Sequence, residues 1–210
     1  MEDKKEITVL GVTGGIASGK STVTSMLGDL GAATISADAI AHELTAPGAP
    51  LTAEVLKAFG NEYAVKGKKD TLDRAKLAAH IFADTDARKK LESITHPPII
   101  AEQERRVAAL KDSGSFRLIA LEIPLLFEAG MAAHVDKVLV AYCAKKTQIA
   151  RLTERNPSMP MEEVEARIDS QMPLAEKARQ ADFMVDTDQP ADEVHRQLAF
   201  LFDKLAAGKV

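Results

Sequence analysis

The run Gly14-Gly15-Ile16-Ala17-Ser18-Gly19-Lys20-Ser21 fits the pattern G-x-x-x-x-G-K-[ST] at every fixed position. Glycines let such a loop wrap closely, so that successive backbone N–H groups point inward at phosphate oxygens. A helix starting near Lys20 adds its positive N-terminal end. The Lys20 ammonium can reach the β- and γ-phosphates, and the Ser21 hydroxyl can ligate Mg²⁺. The flanks agree with this chemistry. Ile7–Val12 is a short apolar run, β-branched at Ile7, Val9 and Val12, and Lys20–Leu30 carries Val23, Met26, Leu27 and Leu30 at helical spacing. Strand, loop and helix together read as a nucleoside triphosphate site, with the phosphates and Mg²⁺ expected on Gly14 through Ser21.

A phosphate loop does not by itself name a reaction. A GTP-binding switch needs [NT]-K-x-D and a D-x-x-G after the second strand, and neither pattern occurs. A transporter ATPase carries an LSGGQ-like segment, also absent, and a motor needs more chain. A small-molecule kinase needs an acceptor pocket, a group that orients the acceptor hydroxyl, and cations that cover the phosphates. Each has a candidate. Asp38, just past a second strand, can accept the proton of an attacking hydroxyl or act as an N-cap for Ala39–Leu44. Glu122, ending the apolar run Leu118–Leu121, can hold the Mg²⁺ shell or sit solvated at a strand end. Arg151 and Arg155 are four apart, so a helix projects them from one face. Kinase is the reading that remains, with a nucleoside or nucleotide kinase as the alternative to the acceptor assigned below.

These residues need a scaffold, and the segments that could supply it alternate between strand-like and helix-like in the first and last thirds of the chain. That is the pattern of an α/β protein with a mostly parallel sheet flanked by helices. Ala33–Ser36, Arg117–Leu121, Lys137–Tyr142 and Phe183–Val185 are the further strand candidates. Ala191–Leu205 reads as an amphipathic helix with Val194, Leu198, Leu201 and Leu205 on one face. From Leu51 to Lys111 no strand is expected, only helical patterns broken at Gly60, Gly67 and Pro97-Pro98. Lys146–Ala181 is a second helical stretch, rich in Arg and broken at Pro157, Pro160 and Pro173. Both begin shortly after strands, at the sheet edge where ligands bind in such folds. The charge run Lys66–Asp70 is expected to be a solvated loop.

With 210 residues, 46% of them apolar, the chain can form one core with smaller appended parts. A net charge of −4 offers no basic field for nucleic acid or anionic membrane, and no apolar run approaches the length of a span. The charged segment Met1–Glu6 does not read as a secretory signal. The lone Cys143 sits in an apolar strand-like run and reads as a buried hydrophobe, so a reducing, cytoplasmic setting is expected. His42, His80, His134 and His195 lack metal-ligand spacing.

Beyond the loop, the chain resembles the dephospho-CoA kinase family over nearly its whole length. Val12-Thr13-Gly14-Gly15-Ile16-Ala17-Ser18-Gly19-Lys20-Ser21-Thr22 is similar to its phosphate-loop segment. Ala37-Asp38-Ala39-Ile40-Ala41-His42 with Pro47-Gly48 resembles its D-A-D-x-I-A-H…P-G stretch. Leu72-Asp73-Arg74, Ile81-Phe82 and Leu91-Glu92-Ser93-Ile94-Thr95-His96-Pro97 resemble elements of its CoA-binding region. Ile123–Glu128, Gln148 with Arg151 and Arg155, Arg167 with Gln171, and Ala181-Asp182 match further elements. The resemblance implies γ-phosphoryl transfer from ATP to the ribose 3′-hydroxyl of dephospho-CoA, a small-molecule partner. It also implies a core of residues 1–45, 115–145 and 182–210, a helical CoA-binding insertion at 46–114 and a lid at 146–181. Asp38 falls on the family's proposed base, Arg74, His96 and Pro97 on CoA-binding positions, and Arg151 and Arg155 on lid positions. His96, before Pro97, could instead orient a helix start. The chain departs from the family pattern at four positions. Ala17 replaces a loop glycine, which is expected to require φ below zero. Ser36 stands where an Asp is common, Asn156 replaces an Asp after the lid Arg, and Thr187 replaces an Asn at the expected adenine edge.

Overall fold

The computed structural model describes residues 7–208, and the charged segment 1–6 lies outside them. The first half contains β1 (Thr8–Gly14), α1 (Lys20–Asp29), β2 (Ala33–Ser36), α2 (Ala37–Leu44), α3 (Pro50–Phe59), β3 (Ala64–Val65), β4 (Lys68–Leu72), α4 (Arg74–Ala83) and α5 (Thr85–Ser113). The second contains β5 (Leu118–Glu122), β6 (Lys137–Tyr142), α6 (Lys145–Arg155), α7 (Met161–Asp169), α8 (Leu174–Gln180), β7 (Phe183–Asp186) and α9 (Ala191–Ala206). Among the described residues the chain forms two compact units. One comprises the residues up to Ser36 and from Val107 onward, and the other is Ala37–Arg106.

The first unit is a parallel sheet in the order β2-β5-β1-β6-β7. Parallel strands covered on both faces become continuous apolar runs, which is why β5 is Leu-Ile-Ala-Leu-Glu with all five residues buried. Leu10, Val12, Leu118, Ala120, Leu139, Ala141 and Val185 of the strands pack against Val23 and Leu27 of α1 and the expected Val194, Leu198, Leu201 and Leu205 face of α9. Each fully buried Leu or Val contributes about 1.5–3 kcal/mol, so this layer dominates the stability of the unit. β1 lies between β5 and β6, and its last residue, Gly14, delivers the chain into the phosphate loop. Pro160 and Pro173 stand immediately before α7 and α8, where a fixed φ suits a helix start and no donor is lost.

The second unit departs from the sequence reading in three places. Strands β3 and β4 pair as an antiparallel hairpin inside the stretch expected to be wholly helical. Its turn uses Gly67 at φ +82, and Lys68, Lys69 and Asp70 of the charge run are solvated as expected but form part of a strand. Charged residues are poor strand formers, so the hairpin had no sequence signal, although they do guard an exposed ribbon against further pairing. Pro97-Pro98 does not end a helix, because α5 runs through both residues. The helix continues past two missing donors, and Thr95 Oγ1 donates to the Leu91 carbonyl at 2.9 Å. Third, α2 already begins at Ala37, so Asp38 lies in its first turn and is not an N-cap. Gly60, at φ +107, closes α3 as expected.

Ion pairs link the ends of this unit. Glu102 accepts from Arg105 at 2.7 and 2.8 Å and from Arg106 Nε at 2.8 Å, and Arg106 also pairs with Glu43 of α2. Hydrogen bonds from Arg105 and then Arg106 hold the Glu102 carboxyl down at about 2.

The interior prolines generate a prediction. Pro97→Ala restores a donor to the Ser93 carbonyl and removes a ring from the helix interior, a change worth up to about 3 kcal/mol. We expect a higher Tm with helical content retained. A lower Tm would mean that packing of the ring outweighs the missing bond.

Candidate active site

Strand β1 ends at Gly14, and the loop turns through Gly15–Gly19 into α1. Two glycines are required sterically. Gly19 precedes α1 at φ +91, where a Cβ would also press on the Thr187 side chain. At Gly14 a Cβ would come within 2.7 Å of the Ala141 carbonyl oxygen. Ala17 contradicts the sequence expectation, since its φ is +57. For a residue with a Cβ this left-handed conformation costs roughly 1–2 kcal/mol. Its methyl is buried among Leu152, Val164 and Ile168 of α6 and α7, and that contact offsets the strain.

Side chains from outside the loop hold its backbone. The Ile16 N–H donates to Gln171 Oε1 at 2.9 Å, and the Ile16 carbonyl accepts from Gln148 Nε2 at 2.7 Å. The Ser18 carbonyl accepts from the Thr187 hydroxyl at 2.7 Å. Arg151 donates to the Thr187 hydroxyl and carbonyl at 3.1 and 2.7 Å and more weakly to the Ala17 carbonyl at 3.4 Å. Thr187, expected at an adenine edge, therefore braces the loop. Asp188 accepts from the Ala144 N–H at 2.8 Å, and that bond, more than the nearby Arg151 and Lys146 charges, lowers its pKa. The Ser18 hydroxyl is buried and has no hydrogen-bond partner among the described residues.

The structure brings several predicted residues together. Lys20 Nζ lies 3.3 Å from the Gly15 carbonyl. Ser21 Oγ donates to Glu122 Oε1 at 2.8 Å. Glu122 is 7% exposed, so it is not a solvated strand end. Gly19, Thr22, Arg151, Arg155, Thr187 and Gln189 help line a cavity of about 250 Å³ beside α1 and α9. The Arg155 side chain is exposed there, with no hydrogen bond or ion pair among the described residues.

Other predicted residues lie in the second unit. Asp38 is exposed, two residues beyond Ser36, the strand position in register with Glu122. Arg74 donates to the Thr45 carbonyl and hydroxyl at 2.9 and 2.7 Å and to the His42 carbonyl at 3.3 Å, so it ties α4 to the end of α2. His96 is half-buried and Pro97 exposed, both inside α5, so His96 does not orient a helix start. The loop braces had weaker sequence signals. Gln148 and Gln171 carried a signal only as matches to the family pattern, with no role attached, and Thr187 only as a departure from it.

A strand–loop–helix phosphate site at the end of the central strand of a parallel sheet defines a P-loop nucleotide-binding protein. A shikimate kinase from Acinetobacter baumannii shares this fold at 16% identity, with a TM-score of 0.52. A family model for dephospho-CoA kinase matches residues 8–193, and the chain belongs to that family. A dephospho-CoA kinase from Syntrophotalea carbinolica is 42% identical over 200 residues, covering 95% of this chain and 93% of its own. One from Geobacillus kaustophilus is 42% identical over 189 residues, covering 90% and 92%. The solved dephospho-CoA kinase from Campylobacter jejuni superposes with a TM-score of 0.70 at 29% identity, covering 96% of this chain and 98% of its own.

The conformation of Ala17 sets opposing effects against one another. Ala17→Gly relieves the strain but loses a buried methyl, worth about 0.8 kcal/mol, and frees the unfolded chain by about 0.4–1 kcal/mol. We expect a net change within about 1 kcal/mol for Ala17→Gly, and a loss above about 2 kcal/mol for Ala17→Val, whose branched side chain fits neither the backbone nor the packing. Denaturant unfolding of both variants checks this.

Proposed function

We propose that this chain transfers the γ-phosphoryl group of ATP to the ribose 3′-hydroxyl of dephospho-CoA, giving CoA and ADP. Membership in the family supports the acceptor, and the intact phosphate loop beside the Ser21–Glu122 pair is the observation that carries the chemistry. ATP is the donor expected of a kinase of this family. In this reading the loop Gly14 through Thr22 holds the phosphates with the Lys20 ammonium and with those backbone amides that Gln171 and the loop's own carbonyls do not take. Arg151 braces the wall of the nucleotide cavity, and Arg155 offers a guanidinium fork to phosphoryl oxygens.

Ser21 and Glu122 fit a magnesium ion. Their two hard oxygens lie 2.8 Å apart where the loop meets α1, and Mg²⁺ takes one or two protein oxygens and fills its shell with water and phosphate. No group of three or more His, Cys, Asp or Glu among the described residues offers a competing cage. When bound, such an ion would supply positive charge that offsets the negative charge gathering on the phosphates as ADP departs.

The remaining roles belong to side chains. Asp38 accepts the proton of the acceptor hydroxyl as that oxygen bonds to the γ-phosphorus. The bond from phosphorus to the β–γ bridging oxygen breaks, and its electron pair leaves with ADP. Lys20 stays beside the transferring group and offsets its charge. In this reading residues 46–114 form the substrate-binding insertion, where Arg74 orders the α2–α4 junction and His96 and Pro97 face the acceptor. Residues 146–181 are the lid, and the cytoplasm is where the reaction runs.

A coupled assay with competing acceptors tests the function. Turnover with dephospho-CoA should exceed that with AMP or CMP by a factor on the order of ten thousand in kcat/KM, a site's discrimination when it hydrogen-bonds its own substrate. Comparable values would make the chain a nucleotide kinase instead. In the same assay Asp38→Asn should lower kcat by roughly a hundredfold or more with ATP affinity retained. An equal loss of ATP binding would move Asp38 to the metal, and unchanged kinetics would remove it from the reaction.

A further inference from the structure

The lysine at position 177 lies on α8 with none of its surface exposed. It occupies the apolar stripe of that helix, where Leu174 and Ala178, with Ala181 just past the helix end, pack with Val140 and Cys143. A buried ammonium is tolerated only where it is paired and hydrogen-bonded, and its three N–H donors meet three partners. Nζ lies 2.8 Å from Glu128 Oε1, 3.0 Å from the Pro124 carbonyl and 3.4 Å from the Gly14 carbonyl. Glu128 Oε1 also accepts from the Met172 N–H at 3.1 Å, and the Thr13 hydroxyl donates to the same Pro124 carbonyl at 3.2 Å.

The two carbonyls lie at particular points of the chain. Gly14 opens the phosphate loop, and Pro124 lies two residues beyond Glu122. One cation thus joins the backbone that leads to Ser21 with the backbone that bears Glu122. An apolar side chain would fill the stripe on α8 equally well but would leave both carbonyls without this donor.

We propose that Lys177 is a positioning residue that sets the spacing between the phosphate loop and Glu122, and hence the affinity for the metal-bound form of the nucleotide. This rests on the reading of Ser21 and Glu122 as magnesium ligands. Lys177 itself touches neither nucleotide nor metal. Its loss loosens the metal edge while leaving the loop amides and Lys20 to bind free nucleotide.

Titration calorimetry of ATP binding to the full chain, once with Mg²⁺ and once with a chelator, tests this together with Tm. The variants are Lys177→Met and the charge-balanced double variant Lys177→Met/Glu128→Gln. We expect the double variant to regain Tm relative to the single one. Both should bind Mg·ATP at least about tenfold more weakly, the scale of lost outer-shell support, with chelated ATP changed by less than about threefold. Wild-type affinities in the double variant, or equal losses for both nucleotide forms, would overturn the proposal and leave Lys177 a structural ion pair. Wild-type protein that binds both forms equally would overturn the magnesium reading itself and the proposal with it, a result seen before any variant is measured. If neither lysine variant folds, Glu128→Gln alone is measured. A loss confined to Mg·ATP supports the proposal, and no loss overturns it.

Discussion

The Ile16 backbone is held on both sides of its Cα by amide side chains, its N–H by Gln171 and its carbonyl by Gln148. The rest of the site depends on this constraint. A phosphate-binding loop must keep its N–H groups converging on one point, an arrangement that water would otherwise satisfy in many other ways. Each hydrogen bond contributes only about 0.5–1.5 kcal/mol net, but the Thr187 and Arg151 contacts add to the pair at Ile16. Together they exceed the roughly 1–2 kcal/mol of strain at Ala17. A loop ordered in advance needs little further ordering when phosphate arrives, and its dipoles are already aimed at the charge to be stabilised.

The braces come from α6, the α7–α8 connection and the residue after β7, all in the same compact unit as the sheet. Arg151 therefore has a local duty, binding Thr187 and the Ala17 carbonyl, whereas Arg155 is left to the cavity. Two arginines one helical turn apart, alike in sequence, differ because only one of them reaches the chain beyond β7.

Much of this was legible in the sequence. Fixed glycines, a lysine and a hydroxyl at set spacing between an apolar run and a helical pattern identify the loop, because phosphate chemistry dictates those residues there. β2 and β6 fall on the residues expected from their apolar runs. The hairpin at 64–72 stayed hidden because charged residues in an exposed ribbon carry no apolar alternation. The path of α5 through Pro97-Pro98 was hidden for another reason, since tertiary surroundings and not local propensity decide whether proline ends a helix or is absorbed by it. Ala17 shows the same limit. Its tolerance depends on apolar neighbours on α6 and α7 that are distant in sequence.

The central claim is that the loop is shaped by its braces before any nucleotide arrives. Amide hydrogen exchange of the nucleotide-free protein tests it most directly, read at Ile16 and Ser18. The account predicts slow exchange at Ile16 without ATP, lost on Gln171→Ala while the sheet amides of β1 stay protected. Exchange at Ile16 as fast as in an unstructured chain, slowed only by added ATP, would contradict it and make nucleotide the agent that orders the loop.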